Sequence, residues 1–510
     1  MKKRFLNIAL ILGAIFILLI SVYINIFVGV LLIFTFVTIC SFIKYPQAIT
    51  EQLILLGIFL APCSNIFVYE TEYFDMKILQ FLWMIIFMFI LIQKALLKDR
   101  DLYRKSNTNN SFIFVLYLIG LSISCLFSIN MSLSLKELFQ YSYLFLMMFV
   151  IYKNAQKKDF FDKIIITIVL SNFFLVSISL ISYFTGKMLI PAFHMYQNGH
   201  IEILDNLYKS QALVESNNII NRIDSVMGLY TISIANCILV QSLIVNYKIR
   251  NSTGKQRGLY FILFIANLVT LTITYSRAAL LIFLVVNFIT LLGKNHKLNL
   301  LLIVLALCSI PLTLSMFPII SERILEAFNP QEGSTKYHFV YWIVALREGY
   351  DHILTGIGLG NAAFQQDMYV SLFNSLFRKY DLYKSDGANI HNFILQIWAE
   401  QGSFGLFANV ILIFSPIVHF LRNKFVKKSI IGRTVYDYII LAYVATLAYN
   451  LTNNNFYIET FWILAALTYA CKDSFPYSNK INNDSLMNGE VCSSNNWKTV
   501  EPLSSIHCKS

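Results

Sequence analysis

Residues 259–292 read LYFILFIANLVTLTITYSRAALLIFLVVNFITLL, and Arg277 is the one charged residue among them. About 20 apolar residues at 1.5 Å per residue carry a helix across a hydrocarbon core. The stretch therefore predicts two spans, centred near Leu268 and Val285 and joined by the short turn Thr274-Tyr275-Ser276-Arg277. Lipid offers a backbone no hydrogen-bond partner, so runs of this kind must be helical.

On either side similar runs recur to about residue 471, with further centres near Ala14, Leu32, Leu56, Ile86, Leu118, Met147, Phe174, Leu239, Ala306, Leu412, Ala442 and Leu464. The composition agrees: 57% hydrophobic and 13% charged, with mean hydropathy +0.62, well outside the usual soluble range. The predicted fold class is an all-α integral membrane protein of roughly 12–14 transmembrane helices. The first run follows Met1-Lys2-Lys3-Arg4 but shows no small-residue cleavage site, so it is read as a retained span.

The formal net charge of +12 does not point to nucleic acid, because most basic residues fall on alternate linkers. Lys98 to Arg100, Lys153 to Lys163, Lys248 to Arg257 and Arg422 to Arg433 mark the cytoplasmic side under the positive-inside rule. Both termini are then cytoplasmic. Residues 1–471 form the predicted membrane domain, with two long outer linkers at about 186–225 and 320–390. Residues 472–510, rich in Ser and Asn, form a disordered cytoplasmic tail. Five of the eight cysteines lie in apolar runs, and no pair faces the oxidising side, so no structural disulfide is expected.

Chemistry concentrates in long loops on a rigid scaffold. In the second outer linker, Tyr337 to Tyr350 has helical spacing with His338, Trp342 and Ala345 on one face, and Asp351 and Gly356 end it. A second helix is expected from near His391 to Gly402. Arg222, Arg277 and Arg323 lie near membrane boundaries, where an arginine either snorkels to the interface or binds a phosphate. Arg277 is the most pointed, since its turn holds it at the membrane surface.

His391, with Asn392 beside it and Glu400 nine residues on, is either an interfacial hydrogen-bonding residue or a general base for a hydroxyl acceptor. Gly356-Ile357-Gly358-Leu359-Gly360 is a tight turn and not a nucleotide loop, because it follows a helix. Asp99-Arg100-Asp101 imitates a metal-binding pair but sits among cations in a cytoplasmic linker. No His/Cys/Asp cluster has metal spacing, so no metal and no cofactor is expected.

Together these pieces resemble the O-antigen ligase and O-antigen polymerase superfamily of bacterial membrane glycosyltransferases, most strongly from Tyr275 to Gly405. The matching features are the Ser276-Arg277 turn, the helix from His338 to Trp342, the Gly356-Ile357-Gly358 turn, and His391-Asn392 running to Glu400-Gln401-Gly402. The family usually has arginine where this chain has His338, and Lys336, Arg347 or a protonated His338 are the candidates for the missing charge. The resemblance implies a GT-C-like fold and an inverting, metal-independent enzyme in the bacterial cytoplasmic membrane, with its active site on the extracytoplasmic side.

The implied donor is an undecaprenyl-diphosphate-linked glycan, and the implied acceptor is a glycan or lipid-glycan hydroxyl, in surface polysaccharide, O-antigen or capsule assembly. His391 and Glu400 are the implied catalytic residues. Arg222, Arg277, His338, Arg347 and Asn392 are the implied diphosphate and glycan contacts. Polymerase and ligase are not separated. A lipid-linked oligosaccharide flippase or transporter is the alternative, but such proteins favour internal repeats and mid-span ionisable residues, which this sequence lacks.

Overall fold

The computed structural model describes residues 45–71, 75–97, 108–186, 188–190, 192–196, 201–204, 227, 229–291, 333–362, 369–379, 390–427, 434–453 and 456–474, with Thr38 and Phe42. The predicted spans near Ala14, Leu32 and Ala306, the residues Arg222 and Arg323, the pair Asp99 and Asp101, and residues 475–510 lie outside them.

Every other predicted span centre falls inside a helix. These helices are α1 (Pro46–Phe59), α2 (Ile78–Leu97), α3 (Thr108–Leu126), α4 (Met131–Ala155), α5 (Lys158–Thr185), α6 (Thr231–Asn251), α7 (Gly254–Ile273) and α8 (Arg277–Leu291). After the next linker come α9 (Gly333–Asp351), α10 (Val370–Lys379), α11 (Phe393–Lys427), α12 (Val435–Asn450) and α13 (Glu459–Ser474). Among the described residues, α5, α6, α7 and Phe393–Phe425 of α11 are long and apolar enough to cross a membrane. Shorter apolar segments lie in α2, α3 and α8. The chain is an all-α membrane protein, as its sequence predicts.

Local chemistry sets the helix ends. Pro46 opens α1, where a missing N–H costs nothing. Thr434 and Asp437 form a capping box on α12, and Gly186 in the left-handed region closes α5. Because lipid is as apolar as leucine, helices in a membrane gain little by hiding apolar faces and are joined instead by close packing and polar clamps. Asn172 of α5 and Asn267 of α7 exchange hydrogen bonds at 2.7 and 2.8 Å, and Asn172 also donates to Gln241 of α6 at 3.2 Å. Asn246 of α6 donates to Asn287 of α8 at 2.8 Å. The Thr446 hydroxyl of α12 donates to Asn236 of α6 at 2.6 Å.

One feature departs from the all-helical expectation. The connections after α1 and α5 form a four-stranded sheet in the order β2-β1-β3-β4, from β1 (Phe67–Glu70), β2 (Asp75–Lys77), β3 (Ala192–Tyr196) and β4 (Ile201–Leu204). β1 pairs β3 in parallel, Phe67 opposite Phe193, while the outer pairs are antiparallel. His194 and Glu70 tie the central strands at 3.1 Å. The first long linker is thus partly sheet.

Candidate functional site

Two glycine signals of the sequence meet in one structure. Inside α11, Gly402 has φ 62 and ψ −164, which breaks the helix where the sequence places its end. The loop after α9 lodges in that break: Ile357 N–H donates to Ala399 O and Gly358 N–H to Glu400 O, both at 3.0 Å. Ser403 N–H donates back to Ile353 O at 2.7 Å. A Cβ on Gly356 would lie 2.3 Å from the Glu400 carbonyl carbon, so only glycine allows this approach. The loop also reaches the α3–α4 turn, where Ile129 N–H donates to Ile357 O at 3.1 Å and Ser134 Oγ to Leu359 O at 2.8 Å.

Glu400 fastens this junction. Its side chain is buried, accepts from Gln396 Nε2 at 2.9 Å and is bonded by the Gly360 backbone. Gln396 also donates to Tyr457 OH at 2.7 Å. The other Glu400 oxygen, Oε2, has no hydrogen-bond partner among the described residues.

His391 sits two residues before the start of this helix arm. Asn392 caps α11, its Oδ1 accepting from Ile394 N–H and Leu395 N–H at 3.1 Å each. His391 itself has φ 52, an uncommon backbone for a residue with a Cβ and the kind that clusters at functional sites. Its ring lies edge-on to His338, with centroids 4.6 Å apart. Trp342, one turn along α9 from His338, donates its indole N–H to Ile390 O at 3.0 Å and locks α9 against the strained residue. The helix that opens the large linker and the helix that closes it therefore meet at two histidines.

Burial, and then the neighbouring His391, pushes the His338 imidazole down to about 4, and burial lowers His391 below its ordinary 6.5. Both rings are neutral at pH 7 in this structure. Burial thus works against the protonated form of His338, one of the three candidates for the missing charge.

Arg277 begins α8. Its turn is pinned by Ser276 Oγ, 3.0 Å from Tyr449 OH at the end of α12. Two residues further on, Leu451 O accepts from Asn392 Nδ2 at 3.1 Å. The Ser-Arg turn and the His-Asn cap thus share the C-terminal end of α12 as a common anchor. Arg277 stands at a helix N-terminus, whose backbone dipole and N–H groups favour an anion.

Arg347 is placed elsewhere. It lies nine residues after His338, which at about 100° per residue is half a turn around α9. There it pairs with Asp351 at 3.0 Å, and Tyr369 OH also bonds Asp351, at 3.2 Å. The Lys336 side chain lies outside the described residues.

Sequence reasoning missed Glu348. It is 1% exposed, its Oε1 has no hydrogen-bond partner among the described residues, and burial, with Glu400 adding to it, raises the carboxyl to about 8. The signal was present: Val340, Val344 and Glu348 share one helical face, and the two valines are buried. No group of three or more His, Cys, Asp or Glu among the described residues has metal-binding geometry.

Residues 262–410 match a family model described as O-antigen ligase. That range takes in Arg277, His338, the glycine loop, His391 and Glu400, and it supports the O-antigen ligase and polymerase superfamily that these motifs resemble. No curated protein matches the chain.

Proposed function

On the premise that residues 262–410 of this membrane protein carry the O-antigen ligase match, we propose that it transfers glycan from a polyprenyl-diphosphate carrier to an acceptor sugar hydroxyl. The reaction takes place at the outer face of the bacterial cytoplasmic membrane, in surface polysaccharide assembly. The observation that carries this reading is the shared anchor: one helix end holds both the Ser276-Arg277 turn and the Asn392 cap behind His391.

The acceptor oxygen attacks the anomeric carbon, its bond to that carbon forms, and the carbon–oxygen bond to the diphosphate breaks. A single displacement inverts the centre. The bond-breaking electrons go to the carrier diphosphate, whose growing charge Arg277 and the α8 N-terminus stabilise. The acceptor's proton goes to neutral His391. Diphosphate leaves without protonation, so no carboxylic acid is required, in contrast to glycoside hydrolysis. Glu400, held by Gln396 and Gly360, serves the site by fixing the glycine loop. Charge neutralisation falls to arginine, and no metal enters the scheme.

The two residues should fail differently. Full-length variants are compared in nanodiscs for carrier binding and glycan transfer. Arg277→Ala should lose about 2–4 kcal/mol of transition-state stabilisation, and Arg277→Lys should recover only part, since a point charge cannot make paired contacts. His391→Ala should bind carrier as the parent does and turn over roughly 10²–10⁴-fold more slowly. Parental turnover by His391→Ala across pH 6–8 would remove His391 as the base.

A further inference from the structure

Away from this site, two cavities meet along the seam between α2 and α4. One, of about 400 Å³, is walled mainly by apolar side chains such as Trp83, Met84 and Met147. The other, of about 60 Å³, has the polar side chains of Gln93, Lys153, Asn154 and Lys157 in its wall. Phe87 and Val150 line both, so the cavities are neighbours across these two side chains. Met88 in the apolar wall is exposed.

We propose that this seam binds an anionic phospholipid, with its phosphate at Lys153 and Lys157 and one acyl chain in the apolar cavity. Three observations carry it. The first is charge. Glu51, the one acid in the polar wall, is engaged by Lys163 at 3.6 Å and by Gln47 at 3.4 Å, so the balance of that end is cationic. The Lys153 ammonium is positioned over the Phe149 and Tyr152 rings at 5.6 and 5.3 Å.

The second is order: cations and the buried amide of Gln93, 5% exposed, lie at one end and hydrocarbon walls at the other, which is the polarity of a phospholipid. The third is position. Ser134 of α4 bonds the glycine loop, and Lys153 stands 19 residues along the same helix. At 1.5 Å per residue this is about 28 Å, close to the hydrocarbon thickness of a bilayer. The polar pocket therefore faces the leaflet opposite the transfer site, where a carrier diphosphate bound at Arg277 cannot reach. The proposal is independent of which glycan is transferred.

The test uses the full-length protein in detergent, with native mass spectrometry of retained lipid. The probes are phosphatidylglycerol, phosphatidylcholine of the same chains, and a polyprenyl phosphate. Phosphatidylglycerol should be retained in preference to phosphatidylcholine. Lys153→Gln with Lys157→Gln should weaken phosphatidylglycerol about thirtyfold, the effect of two interfacial cations, and leave phosphatidylcholine unchanged. Leu146→Trp, which fills the apolar wall, should weaken retention of phosphatidylglycerol while leaving the lysines in place.

Equal retention of the two phospholipids by the parent protein would overturn the proposal without any variant. So would parental phosphatidylglycerol binding by the double glutamine variant. Displacement of phosphatidylglycerol by polyprenyl phosphate, lost with the same two lysines, would assign the seam to an isoprenoid and overturn it as well.

Discussion

Gly402 offers a sharp test of the junction beneath the histidines. Its φ 62 and ψ −164 lie in a region that only glycine occupies at low cost, so Gly402→Ala carries about 1–3 kcal/mol of backbone strain. The new Cβ would also stand 2.6 Å from Gly356 N and 2.6 Å from the Leu354 carbonyl carbon. Both are backbone atoms, and the Ile357–Ala399 and Ser403–Ile353 hydrogen bonds hold them in place. Overpacking of this kind adds a similar amount, giving about 2–6 kcal/mol in all.

Two other glycines calibrate the effect. Gly254 has φ +56 but open space around its Cβ, so Gly254→Ala should cost only about 1 kcal/mol. Gly258 is helical with open space, so Gly258→Ala should be stabilising by up to about 1 kcal/mol. Thermal unfolding of the purified variants in one detergent, followed by tryptophan fluorescence, should rank them Gly258→Ala, parent, Gly254→Ala, Gly402→Ala from most to least stable. Equal midpoints for Gly402→Ala and Gly254→Ala would refute the lodged-loop argument, because the two share a positive φ and only Gly402 has backbone packed against it.

Further outcomes follow from other contacts. Lys424 and Asp437 form a buried ion pair at 2.7 Å between α11 and α12. Lys424→Met should cost about 3–5 kcal/mol by leaving the buried aspartate without its cation, and Lys424→Met with Asp437→Leu should recover most of it in the same unfolding assay. Asn267→Leu opens the amide clamp between α5, α6 and α7 and should cost about 1–2 kcal/mol, with no loss expected if Asn172 is replaced by leucine beforehand. Since burial lowers His391 below 6.5, the neutral base is present above that value and is lost as pH falls through the lowered one. Turnover should therefore be flat from pH 7 to 8 and decline only on the acid side of 6.5. An activity limb centred above pH 7 would contradict the assignment.

Much of this architecture is readable from the chain. Apolar runs fix helices because lipid leaves the backbone no alternative, and the Ser276-Arg277 turn and the break at Gly402 fall where the runs are interrupted. The sheet was not readable. β1 is four residues and β2 is three, too short for a period-2 pattern to register, and the partner of β1 on its other edge, β3, comes from a distant linker. The His338–His391 contact joins residues more than fifty positions apart, and it depends on Trp342 bonding Ile390, which no local spacing encodes. Arg347 is different: nine residues at about 100° each put it on the face of α9 opposite His338, which the chain alone shows, and its pairing with Asp351 is one helical turn of spacing.

The parallel pairing of β1 with β3 also constrains how the molecule is made. Phe67 emerges early and its partner Phe193 more than a hundred residues later. At about 5–20 residues per second, synthesis leaves the β1–β2 hairpin waiting on the order of ten seconds with one edge open. During that interval α2, α3, α4 and α5 must all be made and placed, because they separate β1 from β3 along the chain. The sheet thus closes as a late checkpoint on the orientation of the helices between its halves, and a chain with one of them inverted would leave that edge bare for proteases and chaperones to recognise.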